Sequence, residues 1–248
     1  MCTNVRNKSI WAGRNIGMLL ASLIGLASLL LAPAGTGADG AAAEADPGTD
    51  SQIRFNQDGG NWSGFVTSGT GFHSVSASWR QPPVTCSSVG NKFAIWVGID
   101  GYGSSTVEQT GVATDCSSGS PSHQAWYEMV PALPVYHDDP VQAGDSMTAG
   151  VVRSGRHYTM TITDNTRGWT RSVTAAADAA NTSAEIIVEP AAGSLPRFGK
   201  ITFTDVTVDG NQLSAGTAFA IDATNSGGFE TLTSPLSGGR FSVSYLRE

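Results

Sequence analysis

The sequence predicts an all-β fold, an antiparallel β-sandwich of two packed sheets, and three observations carry that expectation. Only 14% of the 248 residues are charged while 30 are glycine, so the chain lacks the Glu, Lys, Arg and Leu that long solvated helices need. From Asn56 onward, short runs rich in Val, Ile, Thr and aromatics alternate with Gly, Asn, Asp and Pro clusters at spacings of about 8–15 residues, the pattern of a sandwich or barrel. No Gly-rich loop joins a strand to a long helix, which excludes a nucleotide-binding βαβ unit.

The amino-terminal residues read as a targeting element. Residues 1–34 carry Arg6, Lys8 and Arg14 and no acid, ahead of an apolar run over 16–31 and the small-residue stretch Ala32-Pro33-Ala34. This is the layout of a secretory signal with its cleavage site. An uncleaved anchor is the competing reading, because the run approaches the roughly 20 apolar residues that span a bilayer. Glycines and serines dilute it and no basic cluster follows, which favours cleavage, export and no membrane contact afterwards. Residues 35–50, GTGADGAAAEADPGTD, are small and acidic and cannot bury enough surface to order themselves. Residues 35–55 are therefore read as a linker or short pro-segment, and 56–248 as one β-sandwich domain.

Within that domain the alternation predicts twelve strands: 62–67, 74–79, 93–99, 105–111, 125–130, 146–153, 157–164, 170–174, 184–189, 200–208, 218–223 and 240–246. The one helix-like stretch, 175–180, is too short to be stable alone, and a loop with a helical turn is expected there.

Cys2 falls in the signal, leaving Cys86 and Cys116 as an even pair that reads as one disulfide in an oxidising compartment. Neither cysteine has partners at zinc spacing, and His73, His123, His137 and His157 are scattered, so no metal and no cofactor are expected. A G-x-S-x-G elbow is absent. The net charge of −7 becomes −10 once the three basic residues of the signal are set aside, 11 basic against 21 acidic. Nucleic acid and anionic membranes are thereby disfavoured as partners, since both require a clustered cationic surface.

Chemistry must then rest on carboxylates and amides. Side chains alternate across a strand, so Trp126 and Glu128 share one face and Tyr127 and Met129 the other. The plain reading of that pair is a half-buried Trp beside an exposed Glu. In Ala184-Glu-Ile-Ile-Val-Glu-Pro, Glu185, Ile187 and Glu189 share one face. Positions i and i+4 of a strand lie ~13 Å apart, too wide for the ~5–5.5 Å separation of a retaining glycosidase.

Six motifs in order, Asn61-Trp-Ser-Gly, Trp96-Val-Gly-Ile-Asp-Gly, Gln109-Thr-Gly-Val, Ala125-Trp-Tyr-Glu, Ala184-Glu-x-x-Val-Glu and Phe198-Gly-x-x-x-Phe, resemble those of the glutamic peptidases, or eqolisins. The resemblance spans residue 56 to the carboxyl terminus. It implies a fold of two packed antiparallel sheets of the concanavalin or jelly-roll kind, and a secreted, monomeric acid endopeptidase acting on polypeptides. It also implies Gln109 and Glu189 as catalytic residues, with Trp62, Trp96, Asp100, Glu128 and Glu185 lining or supporting the substrate cleft. Ala113 and Gln124 stand where the family usually has aspartates, Ile186 replaces a usual tryptophan, and Pro190 follows Glu189 where an acid is common. Fewer carboxylates would move an optimum expected at or below pH ~4.5 upward. Two rival readings are a carbohydrate- or peptide-binding sandwich without activity and a β-glucan hydrolase using Glu185 and Glu189.

Amino-terminal sequencing of the exported protein checks the targeting assignment. A first residue at or after Gly35 is expected, and a product retaining residues 16–31 would show an anchor instead.

Overall fold

A computed structural model describes residues 55–192 and 194–248. The signal reading over 1–34, with Cys2, and all of the 35–55 linker reading except Phe55 lie outside these residues. Eighteen strands occur among the described residues. They are β1 (Gln57–Asp58), β2 (Ser63–Ser68), β3 (Ser74–Arg80), β4 (Lys92–Ile99), β5 (Val107–Asp115) and β6 (Ser122–Val130). Next come β7 (Val135–Val141), β8 (Ser146–Ser154), β9 (His157–Asp164), β10 (Trp169–Ala176), β11 (Ser183–Ala192) and β12 (Lys200–Val208). The last are β13 (Asn211–Gln212), β14 (Phe219–Asp222), β15 (Thr224–Asn225), β16 (Gly228–Phe229), β17 (Thr231–Thr233) and β18 (Phe241–Tyr245).

The first sheet runs β1-β14-β2-β11-β4-β5-β6-β7, and the second runs β10-β9-β8-β3-β12-β18-β17 with β13 on β12. Pairing is antiparallel except between the two-residue strand β1 and β14. Alternation sends every second residue of the first sheet into the space between the sheets. Phe93, Ile95, Val97 and Ile99 of β4 therefore join Met147, Met160, Phe203 and Phe241 in one core. The residues between them do not meet water. Ala94 and Trp96 of β4 pack with Trp62, Trp126 and Ile187 in a second apolar cluster on the outer face. Both faces of β4 and β5 are thus covered, which explains why β4 reads as a near-continuous apolar run, and β5 buries Glu108 and Gln109 as well.

Two differences from the sequence expectation have clear causes. Strand β7, which the alternation does not reveal, has the sequence VYHDDPV and forms the edge of the first sheet, where charges and proline discourage pairing with another chain. The expected helical turn at 175–180 is absent. Ala175 and Ala176 pair with Tyr158 and His157 as the end of β10, and 177–180 have no regular structure. Ladder hydrogen bonds to β9 outweigh alanine's high helix propensity over a stretch too short to nucleate a helix.

Cys86, in the connection from β3 to β4, is bonded to Cys116 at the end of β5 across 30 residues of chain. A loop of that length constrains the unfolded chain by ~3–4 kcal/mol. The double variant Cys86→Ser, Cys116→Ser is expected to lose about that much stability in a urea titration, and an unchanged midpoint would refute the assigned contribution.

Candidate active site

The site is built on the outer face of the first sheet, where β2, β11, β4, β5 and β6 lie side by side. Register places Trp96 beside Ile187 and Gly111, Gly98 beside Glu185 and Gln109, and Gln109 beside Glu128. A second row runs from Glu189 through Ala94, Ala113 and Gln124 to Pro140. Two glycines make room for the large groups. A Cβ on Gly111 would come within 2.0 Å of the Ile95 carbonyl oxygen and 2.8 Å of Trp96 Cα. One on Gly98 would press on the Trp96 ring at 3.0 Å and the Gln109 Cβ at 3.2 Å. These contacts give the glycines of Trp96-Val-Gly and Gln109-Thr-Gly a steric reason, since a side chain at either position needs the space their neighbours occupy.

Glu189 is held by donors from the turn before β2 and from β4. Asn61 Nδ2 donates to its Oε1 at 2.7 Å, and Trp96 Nε1 donates to its Oε2 at 3.0 Å. The Trp62 ring meets Trp96 edge-on, with centroids 5.1 Å apart. Burial pushes the Glu189 carboxyl up to about 7, against hydrogen bonds from Trp62, Trp96 and Asn61 that favour its charged form. It keeps 9% of its surface exposed, whereas Glu185 keeps none.

Opposite Gln109, whose Nε2 lies 2.8 Å from Glu128 Oε2, the pair is almost fully enclosed. Burial pushes Glu128 up to about 8, the Glu189 charge adds to the rise, and the Gln109 amide opposes it. The influence of Glu189 places both carboxyls in one electrostatic environment. Glu128 is therefore not the exposed partner of Trp126 that the plain reading of its strand suggests. Gln109 Oε1 has no hydrogen-bond partner.

Glu185 and Asp100 take other positions. Glu185 accepts from the Tyr102 backbone N–H at 3.2 Å, its second oxygen has no partner, and burial raises its pKa well above the ordinary value. Asp100, at φ 65°, accepts from Asn181 N at 2.6 Å, Thr182 N at 2.8 Å and Thr182 Oγ1 at 3.2 Å. It fastens the end of β4 to the chain entering β11 and supports the site from behind. With Glu185 sealed from solvent, the two-glutamate arrangement of a glycosidase has one accessible carboxyl.

Two residues escape sequence reasoning. Asn61 stands in a quoted motif, yet nothing in its spacing announces a bond to a residue 128 positions away. Glu108 points into the space between the sheets with both carboxylate oxygens unpartnered, and burial, reinforced by Asp100, pushes it up to about 8. Among the described residues, no three His, Cys, Asp or Glu side chains are grouped as metal ligands. A separate open hollow lies along the β6 and β7 edge, lined by His123, Gln124, His137 and Pro140. It adjoins the Glu189 row at Gln124 but contains neither Gln109 nor Glu189.

A peptidase A4 family model matches residues 60–245. The fold is similar to that of scytalido-glutamic peptidase solved with a transition-state-analogue inhibitor, at TM-score 0.69 and 25% identity over 76% of this chain and 99% of that one. It is also similar to SCP-B, an eqolisin in complex with the tripeptide Ala-Ile-His, at TM-score 0.64 and 25% identity over 76% and 99%. Aspergilloglutamic peptidase from Aspergillus niger matches at TM-score 0.52 and 27% identity over 62% and 99%. No curated protein matches by sequence.

The raised carboxyls fix how stability varies with pH. Glu108, Glu128, Glu185 and Glu189 hold protons in the folded chain that the unfolded chain releases near 4.5. Their contribution is complete below about pH 4.5 and is lost as pH rises, through about 7 for Glu189 and about 8 for Glu108 and Glu128. Lowered pKa values at Asp115 and Asp145 act in the opposite sense below their ordinary 3.8, and those of His123 and His137 do so below 6.5. The thermal midpoint is expected to fall between pH 4.5 and 8, with the folding constant dropping up to about tenfold per pH unit for each such glutamate. A midpoint that rises across that range would contradict these assignments.

Proposed function

Because the chain belongs to the peptidase A4 family, the glutamic peptidases, and is a peptidase, we propose that it is a secreted endopeptidase using a Gln109/Glu189 dyad on the acid side of neutrality. The observation that carries this reading is Glu189 itself, a buried carboxyl held by Asn61 and Trp96 on a residue that keeps 9% of its surface exposed. It shares its sheet face with the Gln109 amide. The relatives solved with a transition-state analogue or a tripeptide support a polypeptide as substrate.

A peptide bond resists water because its carbonyl is a poor electrophile and its nitrogen a poor leaving group. Ionised Glu189 takes a proton from a water molecule as the water oxygen bonds to the carbonyl carbon. The carbonyl oxygen gains the negative charge, and a Gln109 N–H donates to it. Glu189 then returns its proton to the amide nitrogen as the C–N bond breaks, leaving a carboxyl product and an amine. Neither an acyl-enzyme nor a metal enters this sequence. Trp96 and Asn61 keep the carboxylate aimed, so the base needs no search for its orientation.

Working pH follows from the enclosure of the dyad. Glu189 must be ionised to begin, and burial raises it above its ordinary value of 4.5. The expected optimum therefore lies above the range at or below ~4.5 that the reference glutamate implies. Ala113 and Gln124 supply no charge to the row beside Glu189, so no carboxylate of that row adds to the rise. Residues 1–34 as a cleaved signal, 35–55 as a linker or short pro-segment and a monomeric product complete the proposal, and the Cys86–Cys116 disulfide supports an oxidising destination.

Gln109→Ala and Glu189→Gln are each expected to lower kcat/KM on an acid-denatured protein by about 10²-fold or more, with wild-type activity surviving a chelator. Either variant retaining more than a tenth of wild-type activity while folded would remove its residue from the dyad.

A further inference from the structure

Gln109 and Glu128 face each other directly across β5 and β6, at 4% and 2% exposure, joined by one contact of 2.8 Å. A primary amide presents an oxygen acceptor at one corner and two N–H donors at the other, and a half-turn about its last torsion exchanges them. When Glu128 is ionised it has only acceptors to offer, so the Gln109 NH₂ turns toward it and Gln109 Oε1 is left without a partner. This orientation commits to Glu128 a donor that the dyad requires for the oxyanion. When Glu128 is protonated its O–H can donate instead, Gln109 Oε1 becomes the acceptor, and both amide N–H groups are released toward the site.

We propose that Glu128 is a positioning residue whose proton holds the Gln109 amide with its NH₂ turned to the substrate, an inference that rests on the roles given above to Gln109 and Glu189. The surroundings favour the proton. From β11, Glu189 supplies the charge that acts on Glu128, and from β5 the uncharged Gln109 amide is its partner. Strand β4 places Trp96 on this face, and β7 adds Tyr136 to the same apolar cluster. Burial and the Glu189 charge both push the Glu128 carboxyl up, whereas Asn61 and Trp96 both donate to the Glu189 carboxylate, so Glu128 is the later of the two to ionise. The working state is then a pair with one charge and one proton, Glu189 ionised and Glu128 protonated. Its two apparent ionisations belong to the pair. They set the rising and falling limbs of a bell-shaped profile.

The test is the pH dependence of kcat and KM for wild type, Glu128→Gln and Glu128→Ala, with Gln109→Ala alongside. In Glu128→Gln the new amide can donate to Gln109 Oε1 at every pH, so the alkaline limb of kcat is expected to move up by about one pH unit or more. Glu128→Ala is expected to lose about tenfold or more in kcat with KM changed less than about threefold, since it leaves Gln109 unoriented. An alkaline limb of Glu128→Gln superimposed on that of wild type, or a Glu128→Ala effect confined to KM, would overturn the proposal while leaving the dyad intact. Full activity in Gln109→Ala would overturn the dyad and this inference with it. Should a variant fail to fold, wild type supplies a second readout. The Gln109 side-chain NH₂ resonance in an amide NMR spectrum is expected to titrate along the alkaline limb, and a signal constant through that limb would likewise overturn the proposal.

Discussion

The interaction on which the site depends is the clamp of Asn61 and Trp96 on the Glu189 carboxyl. A carboxylate removed from water carries a large cost unless donors replace the water, and here the donors come from the approach to β2 and from β4, on either side of β11. Their positions require β2, β11 and β4 to be neighbours in one register, which the antiparallel pairing provides. That register in turn requires a filled space between the sheets, because a slip of one residue would send Trp96 and Glu189 into the main core. Gly98 and Gly111 complete the arrangement by leaving room for the Trp96 ring. Sequence, sheet order and chemistry thus meet at one side chain.

Much of this was legible before any coordinates. Alternation locates the long strands, including β9 and β12 at their observed ends. It also separates Glu185, Ile187 and Glu189 from Ala184, Ile186 and Val188, which pack on opposite faces. The even cysteine pair is bonded as read. What stayed hidden depends on pairing between distant segments. Alternation sets Glu108 and Gln109 on opposite faces but cannot say that both faces of β5 are buried, so the unpartnered carboxyl of Glu108 was invisible. Asn61 and Glu189 meet only because β2 pairs with β11. Strand β7 escaped because the features that protect an edge, two aspartates and a proline, are those that make a segment look like a loop.

Electrostatics connect the fold to its working conditions. Four glutamates are enclosed with few donors and raised pKa values, so the folded chain holds protons and is favoured in acid. In the proposed mechanism the same enclosure raises the basicity of Glu189 toward water and favours the proton on Glu128 beside it. Asp100 occupies a corner of this region, where backbone N–H groups compensate its charge. Stability and the proposed catalysis therefore draw on one physical feature, carboxyls enclosed by the first sheet, Glu108 on its inner face and the other three on its outer one.

The most direct test of the central claim is a crystal structure with a peptide whose scissile carbonyl is replaced by a tetrahedral, hydroxyl-bearing centre. The account predicts one oxygen of that centre hydrogen-bonded to the Glu189 carboxyl and the oxyanion position within about 2.7–3.1 Å of the Gln109 amide nitrogen. A tetrahedral centre bound on this face but out of reach of either side chain would contradict it.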